Sequence, residues 1–164
     1  MQYIFRQARE EELTQVYEII KKRVQWMDEN NIKQWNTTDY LNVYPLEYFR
    51  GHFNKGQLYV MTNDADILGV MVLLPQDPRW PEYKDTDSYF VHNFATKIDI
   101  PGIGALMLEQ AELLSISHGK QFLRLDCPSH NVFLNNYYES KAYKQLGTCI
   151  DGLYKGNRRE KKLI

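Results

Sequence analysis

The sequence predicts a mixed α/β fold, a central sheet with helices packed on it. Strand-like and helical segments follow one another in the order β-α-α-β-β-β-α-β-α-β-β, which builds a mixed sheet. One stretch, residues 94–119 (FATKIDIPGIGALMLEQAELLSISHG), passes from the end of a β-rich run through Pro101-Gly102 into a helix closed by Gly119. Connections into and out of that helix form a right-handed crossover.

Each element has its own signal. Residues 3–8 read as a first strand. Residues 10–30 read as a helix, with Leu13, Val16, Tyr17, Ile20, Val24 and Met27 recurring at helical steps. Acidic residues crowd its start, and Lys21, Lys22 and Arg23 follow, as the helix dipole favours. Residues 31–44 are irregular and aromatic, and Pro45 then stands where a helix begins, ahead of Leu46, Tyr48, Phe49 and Phe53. Residues 57–62 and 67–74 are strands joined by a turn at Asn63-Asp64-Ala65-Asp66. A polar loop at 77–87 leads to the fourth strand, 88–96. The central helix carries Leu106, Leu108, Ala111, Leu113 and Leu114 at apolar positions. A fifth strand at 121–127, a short helix at 131–141 and strands at 144–150 and near 159–164 complete the chain. The basic run Arg158, Arg159, Lys161 and Lys162 reads as a solvated strand edge rather than a nucleic-acid patch.

Composition narrows the function. A chain of 164 residues is expected to form one domain, 1–164, with a core that needs no disulfides. A formal charge of −1 carries no overall bias toward nucleic acid or a membrane surface. No apolar run approaches the roughly 20 residues of a membrane span. The first residues, MQYIFRQAREEE, lack a signal-peptide core, so a soluble cytoplasmic protein is expected. Cys127 and Cys149 do not make a metal or disulfide framework and read as buried free thiols. Tyr occurs twelve times, and its apolar ring with a polar tip suits both a core and a pocket wall.

A strand, a glycine-containing turn and a helix in that order make an anion site. The first helical N–H groups lack intrahelical partners, and the helix dipole is positive there. Gly102 and Gly104 let an anion approach the backbone closely. Lys97 is the nearby cation in sequence, so main-chain donors would do most of the holding. An ordinary strand-to-helix turn is the competing reading of these residues.

The second half of the chain resembles the GNAT-superfamily N-acetyltransferases. Phe94-Ala95-Thr96 stands where that family has a motif like L-A-V, and Asp99-Ile100-Pro101-Gly102-Ile103-Gly104 where it has Q/R-x-x-G-x-G/A. A second pattern, N-x6-Y-E-x-x-G-F, is matched by Asn131 and Tyr138-Glu139-Ser140-Lys141-Ala142-Tyr143. The strand residues Leu123-Arg124-Leu125-Asp126 also have the family's look, and Ile32-Lys33-Gln34-Trp35 resembles a segment of small bacterial members more loosely. The departures are Asp99 in place of Arg or Gln, Pro101 without its N–H, and Ala142-Tyr143 in place of Gly-Phe. The strand-to-GxG connection is also about two residues shorter than the family's. The first two place the affinity for CoA in question.

The resemblance implies a GNAT-like fold: a mostly antiparallel sheet of about six to seven strands, a parallel splay around the central helix, and helices on both faces. It implies acetyl-CoA as cosubstrate, no metal, and transfer of an acetyl group to an amine. Phe94, Ala95, Thr96, Gly102, Ile103, Gly104, Ala105 and Asn131 are the implied cofactor-binding residues, with a backbone N–H near Ala95 for the thioester carbonyl. Amides from Gly102 to Leu106 would form the phosphate cradle. Tyr138 matches the family's acid, with Tyr137 as its fallback, and the competing reading of Tyr138 is a core tyrosine bonded to a carbonyl. His92, three residues before Ala95, is the candidate base. Strand alternation would place His92 and Phe94 on one face and Asn93 and Ala95 on the other. His52, His118 and His130 have no such context and are expected at the surface. Trp26, Trp35, Tyr40, Tyr44, Trp80 and Tyr89 are candidate walls for the acceptor, Trp26, Trp35 and Tyr89 foremost, and core packing is the alternative for several. The implied partner is a small-molecule amine; an exposed terminal strand leaves a homodimer open. A peptide or protein amine, or a CoA- or metabolite-binding module without catalysis, are the alternative functions.

Overall fold

The computed structural model describes residues 2–84 and 87–164. Its strands are β1 (Ile4–Gln7), β2 (Leu58–Thr62), β3 (Ile67–Leu74), β4 (Ser88–Thr96), β5 (Phe122–Pro128), β6 (Lys144–Asp151) and β7 (Tyr154–Lys162). Its helices are α1 (Leu13–Glu29), α2 (Tyr40–Val43), α3 (Leu46–Asn54), α4 (Ile103–Ser117) and α5 (Val132–Ser140). The seven strands form a sheet in the order β1-β2-β3-β4-β5-β7-β6. The pairs β1–β2, β2–β3, β5–β7 and β6–β7 are antiparallel, and β4–β5 is parallel. The fold is the mixed α/β sheet that the element order predicts. The expected loop at 77–87 includes residues 85 and 86, which lie outside the described residues.

The chain packs as two compact units, residues 1–73 with 92–110, and residues 74–91 with 111–164. In the first, every residue of β2 is buried and β3 is buried along nearly its whole length, as continuous apolar runs should be. Val16 and Ile20 of α1 and Phe49 of α3 are buried in the same unit. Gly69 of β3 is needed for packing, because a Cβ there would collide with the Met107 sulfur of α4. In the second unit, Trp80, Phe90, Leu123, Leu125 and Tyr143 form the core. Arg124 is buried there as well, bonded to Glu160 at 2.8 Å and to the Ser88 hydroxyl at 2.7 Å, with its guanidinium 4.4 Å from the centre of the Tyr83 ring. These bonds supply the partners that a buried charge requires. Cys127 and Cys149 are buried free thiols, and burial pushes both up to about 11.

Three local expectations are corrected. The aromatic stretch 31–44 contains a 3-10 turn at Trp35–Thr37 and the short helix α2. Leu113 is exposed, while Ile103, Met107, Ala111 and the small Ser115 line the buried stripe at four-residue steps. The last strand begins at Tyr154 rather than near 159, and it is not a sheet edge: β5 and β6 flank it. Its charges hid it, because Arg159 is buried and donates to the Tyr143 carbonyl at 2.8 Å, and Arg158 pairs with Glu82. β6 is the edge on that side. Gly147, at φ 80°, accompanies a register shift between Gln145 and Thr148 that interrupts its ladder.

Candidate functional site

The sharpest local feature is the way α4 begins. β4 ends at Thr96, and the chain turns through Asp99 at φ 68° and Gly102 at φ 89° before the helix opens at Ile103. A Cβ at Gly102 would meet nothing within 4 Å, so what calls for glycine there is the left-handed backbone and the open space in front of it. Leu106 N–H already donates to the Gly102 carbonyl at 3.1 Å. The unengaged amides are therefore those of Gly102 to Ala105, one fewer than the sequence suggests. Among the described residues no acceptor meets them. They point as a group out of the positive end of a helix, which is the arrangement that receives an anion.

The charges around this turn differ from the sequence expectation. Lys97 is paired with Asp66 at 3.6 Å, so its charge is partly spent within the fold. Arg23, from the middle of α1, instead reaches the end of β4: its Nη2 donates to the Thr96 carbonyl at 2.6 Å and to the Thr96 hydroxyl at 3.2 Å. Burial pulls the pKa of Arg23 down. Asp99 is exposed. Phe94 and Thr96 face the first turn of α4, 3.7 and 3.9 Å from where a Gly104 Cβ would stand.

β4 itself is irregular. Asn93 adopts φ 51°, and its side chain is buried and turned toward α2 and α3. Burial nonetheless alternates through it as expected, with His92 and Phe94 half-buried and Asn93 and Ala95 buried. Phe94 faces α4, and burial is the main cause that lowers the pKa of His52 on α3. His52 is half-buried rather than exposed, its Nδ1 2.8 Å from Gln57 Oε1. His118 and His130 are exposed as expected.

No family model matches the sequence. The chain is 23% identical over 143 residues to an uncharacterized N-acetyltransferase, YesJ, of Bacillus subtilis (strain 168), covering 83% of this chain and 78% of that protein. A GNAT-family acetyltransferase from Listeria monocytogenes 4b F2365 superposes with a TM-score of 0.80 at 20% identity, covering 98% of this chain and 94% of the other. The chain has the fold of the GNAT acetyltransferases. The PaiA N-acetyltransferase of Thermoplasma acidophilum, solved in complex with coenzyme A, superposes at a TM-score of 0.74 with 18% identity, over 99% of both chains.

The parallel β4–β5 pair expected of a GNAT fold is short. It covers Ser88–Phe90 against Phe122–Arg124, while β5 stays paired with β7 as far as Pro128. Tyr138, on α5, is buried, and burial pushes its pKa far above the ordinary tyrosine value. No hydrogen bond joins its hydroxyl to the described residues, so it is not the carbonyl-bonded core tyrosine of the competing reading. Tyr137 is half-buried with a raised pKa, again from burial. Asn131 caps α5, its Oδ1 accepting from Leu134 N–H at 3.0 Å.

The aromatic residues sort by unit. Trp35 stacks on Tyr40 at 4.2 Å, and Trp26 is half-buried under the Arg23 guanidinium at 4.9 Å. Tyr89 belongs to the second unit, its hydroxyl 2.9 Å from His118 Nδ1. Trp80 is core in that unit. A half-open pocket of about 590 Å³ in the first unit is lined by none of these. It lies along α1 at Thr14, Glu18 and Lys22, and against Thr96, Ile98 and Ile100. Sequence reasoning missed Arg23 and Asn93. Arg23 is 73 positions from its partner and reads only as one of a basic trio. Asn93 stands in a strand-like run with nothing to announce a left-handed backbone.

Proposed function

We propose that the chain is an acetyl-CoA-dependent N-acetyltransferase that acetylates a primary amine of a small molecule. The observation that carries this reading is the group of unengaged amides at Gly102–Ala105, in a fold whose relatives include a protein solved with coenzyme A. Those amides would hold the pyrophosphate, and the main chain near Ala95 would donate to the thioester carbonyl as it gains negative charge. His92 would take the proton of the attacking amine, directly or through water. As the new N–C bond forms and the C–S bond breaks, Tyr138 would give its proton to the departing sulfur. A tyrosine hydroxyl holds its proton at neutral pH, so it is available to a departing thiolate. Asn131 serves α5 as a cap, which suffices to account for an Asn at that position.

The test is thiol release from acetyl-CoA in the presence of small primary amines and, separately, of lysine-containing peptides. Turnover with a small amine and none with peptides is expected. The reverse pattern would assign the peptide reading, and binding without turnover in either arm would leave a CoA-binding module.

A further inference from the structure

We propose that Asn93 and the hydroxyls of Tyr40 and Tyr48 form a latch that positions strand β4 for acetyl transfer, a role that rests on the acetyltransferase reading above. Asn93 holds a left-handed conformation inside a strand, at φ 51°. Asn tolerates that region better than most residues, but tolerance alone does not account for its surroundings. The residue is only 7% exposed, and both ends of its amide are engaged: Nδ2 donates to the Tyr40 hydroxyl at 2.6 Å, and the Tyr48 hydroxyl donates to Oδ1 at 2.9 Å.

The two tyrosines come from different helices, α2 and α3, and belong to one run of rings. Trp35 stacks on Tyr40 at 4.2 Å, Tyr40 meets Tyr44 at 4.6 Å, Tyr44 meets Tyr48 at 4.8 Å, and Tyr48 meets His52 at 4.4 Å. An aromatic segment thus grips β4 at Asn93. In sequence that residue stands between His92, the proposed base, and the Phe94–Ala95 main chain, the proposed donor to the thioester carbonyl. The φ and ψ of Asn93 set the direction of the following N–H groups relative to the preceding side chain. A buried amide stripped of its partners costs the fold its desolvation, so the left-handed step and the two hydroxyls hold each other in place. Asn93 is a positioning residue: it aims the groups on either side of it.

The test uses backbone amide chemical shifts of ¹⁵N-labelled full chain, saturated in turn with CoA and with acetyl-CoA. In the native protein both ligands should shift Gly102–Ala105, and the difference between the two should concentrate at Phe94–Thr96. In the Tyr40→Phe/Tyr48→Phe double variant, Gly102–Ala105 should respond as before while the difference at Phe94–Thr96 falls by at least about half, because a displaced donor no longer meets the carbonyl. Asn93→Gly should do the same. Glycine keeps the left-handed backbone without strain, so a loss there reports the latch and not misfolding, and it decides the matter if the double variant does not fold. A difference at Phe94–Thr96 that survives unchanged in these variants overturns the latch and leaves the acetyltransferase reading standing. If CoA leaves Gly102–Ala105 unmoved in the native protein, the acetyltransferase reading falls and the latch with it.

Discussion

Two helices of this protein begin in opposite ways. α5 starts at Asn131, whose side chain accepts from Leu134 N–H, so the sequence itself satisfies part of the helix's exposed positive end. α4 starts at Gly102, which has no side chain to offer, and the amides up to Ala105 meet no acceptor among the described residues. Both stretches carry motif matches, but only α5 has a side chain that closes one of its first amides. A capped N-terminus has already spent its donors on stability, while an uncapped one keeps them for a ligand at the cost of a weaker helix start.

The contrast can be broken by closing the open end. Gly104→Asp sets a carboxylate beside the free amides, where a Cβ meets only ordinary contacts. It should weaken acetyl-CoA binding at least about 100-fold, near 2.7 kcal/mol, with little change in thermal stability, as titration and melting together would reveal. An unchanged affinity would mean that the phosphates bind elsewhere. Next in size is Tyr138→Phe, which tests whether the unpartnered hydroxyl on α5 does chemistry. Turnover should fall more than about tenfold, or 1.4 kcal/mol, with the acetyl-CoA Kd held. A smaller loss in steady-state assays would remove Tyr138 from the acid role.

Asn131→Ala sharpens the comparison from the other side. Losing the cap should destabilise the fold by about 1 kcal/mol and lower Tm by roughly 2–4 °C, while acetyl-CoA affinity stays within about twofold. A large loss of affinity at unchanged Tm would instead make Asn131 a ligand contact. The smallest effect is expected for Asp99→Asn. Asn keeps the left-handed backbone at φ 68° and removes one negative charge near the open amides, so affinity should tighten by about two- to fivefold, most clearly at low salt. A weaker Kd would show that Asp99 helps to hold the turn.

Much of this was legible from the sequence because it lies in local patterns. The strand, turn and helix around Gly102, the Asn131 cap and the apolar runs of β2 and β3 are all written in neighbouring residues. What was not legible depends on partners distant in the chain. β7 looked too charged for an inner strand until Arg159 found the Tyr143 carbonyl and Arg158 found Glu82. Lys97 read as a phosphate partner because Asp66 lies 31 positions away in sequence, on the hairpin turn. Leu106 was counted among the free amides because nothing in the sequence says at which residue the first helical bond closes. The left-handed step at Asn93 has no sequence signature.

The most direct test of the open N-terminus is calorimetric titration of the purified protein with acetyl-CoA. Binding in the micromolar range, about −8 kcal/mol at 1 μM, is expected despite Asp99 and Pro101. No heat of binding up to millimolar ligand would contradict it, and would leave the amides of Gly102–Ala105 as the ordinary start of a helix.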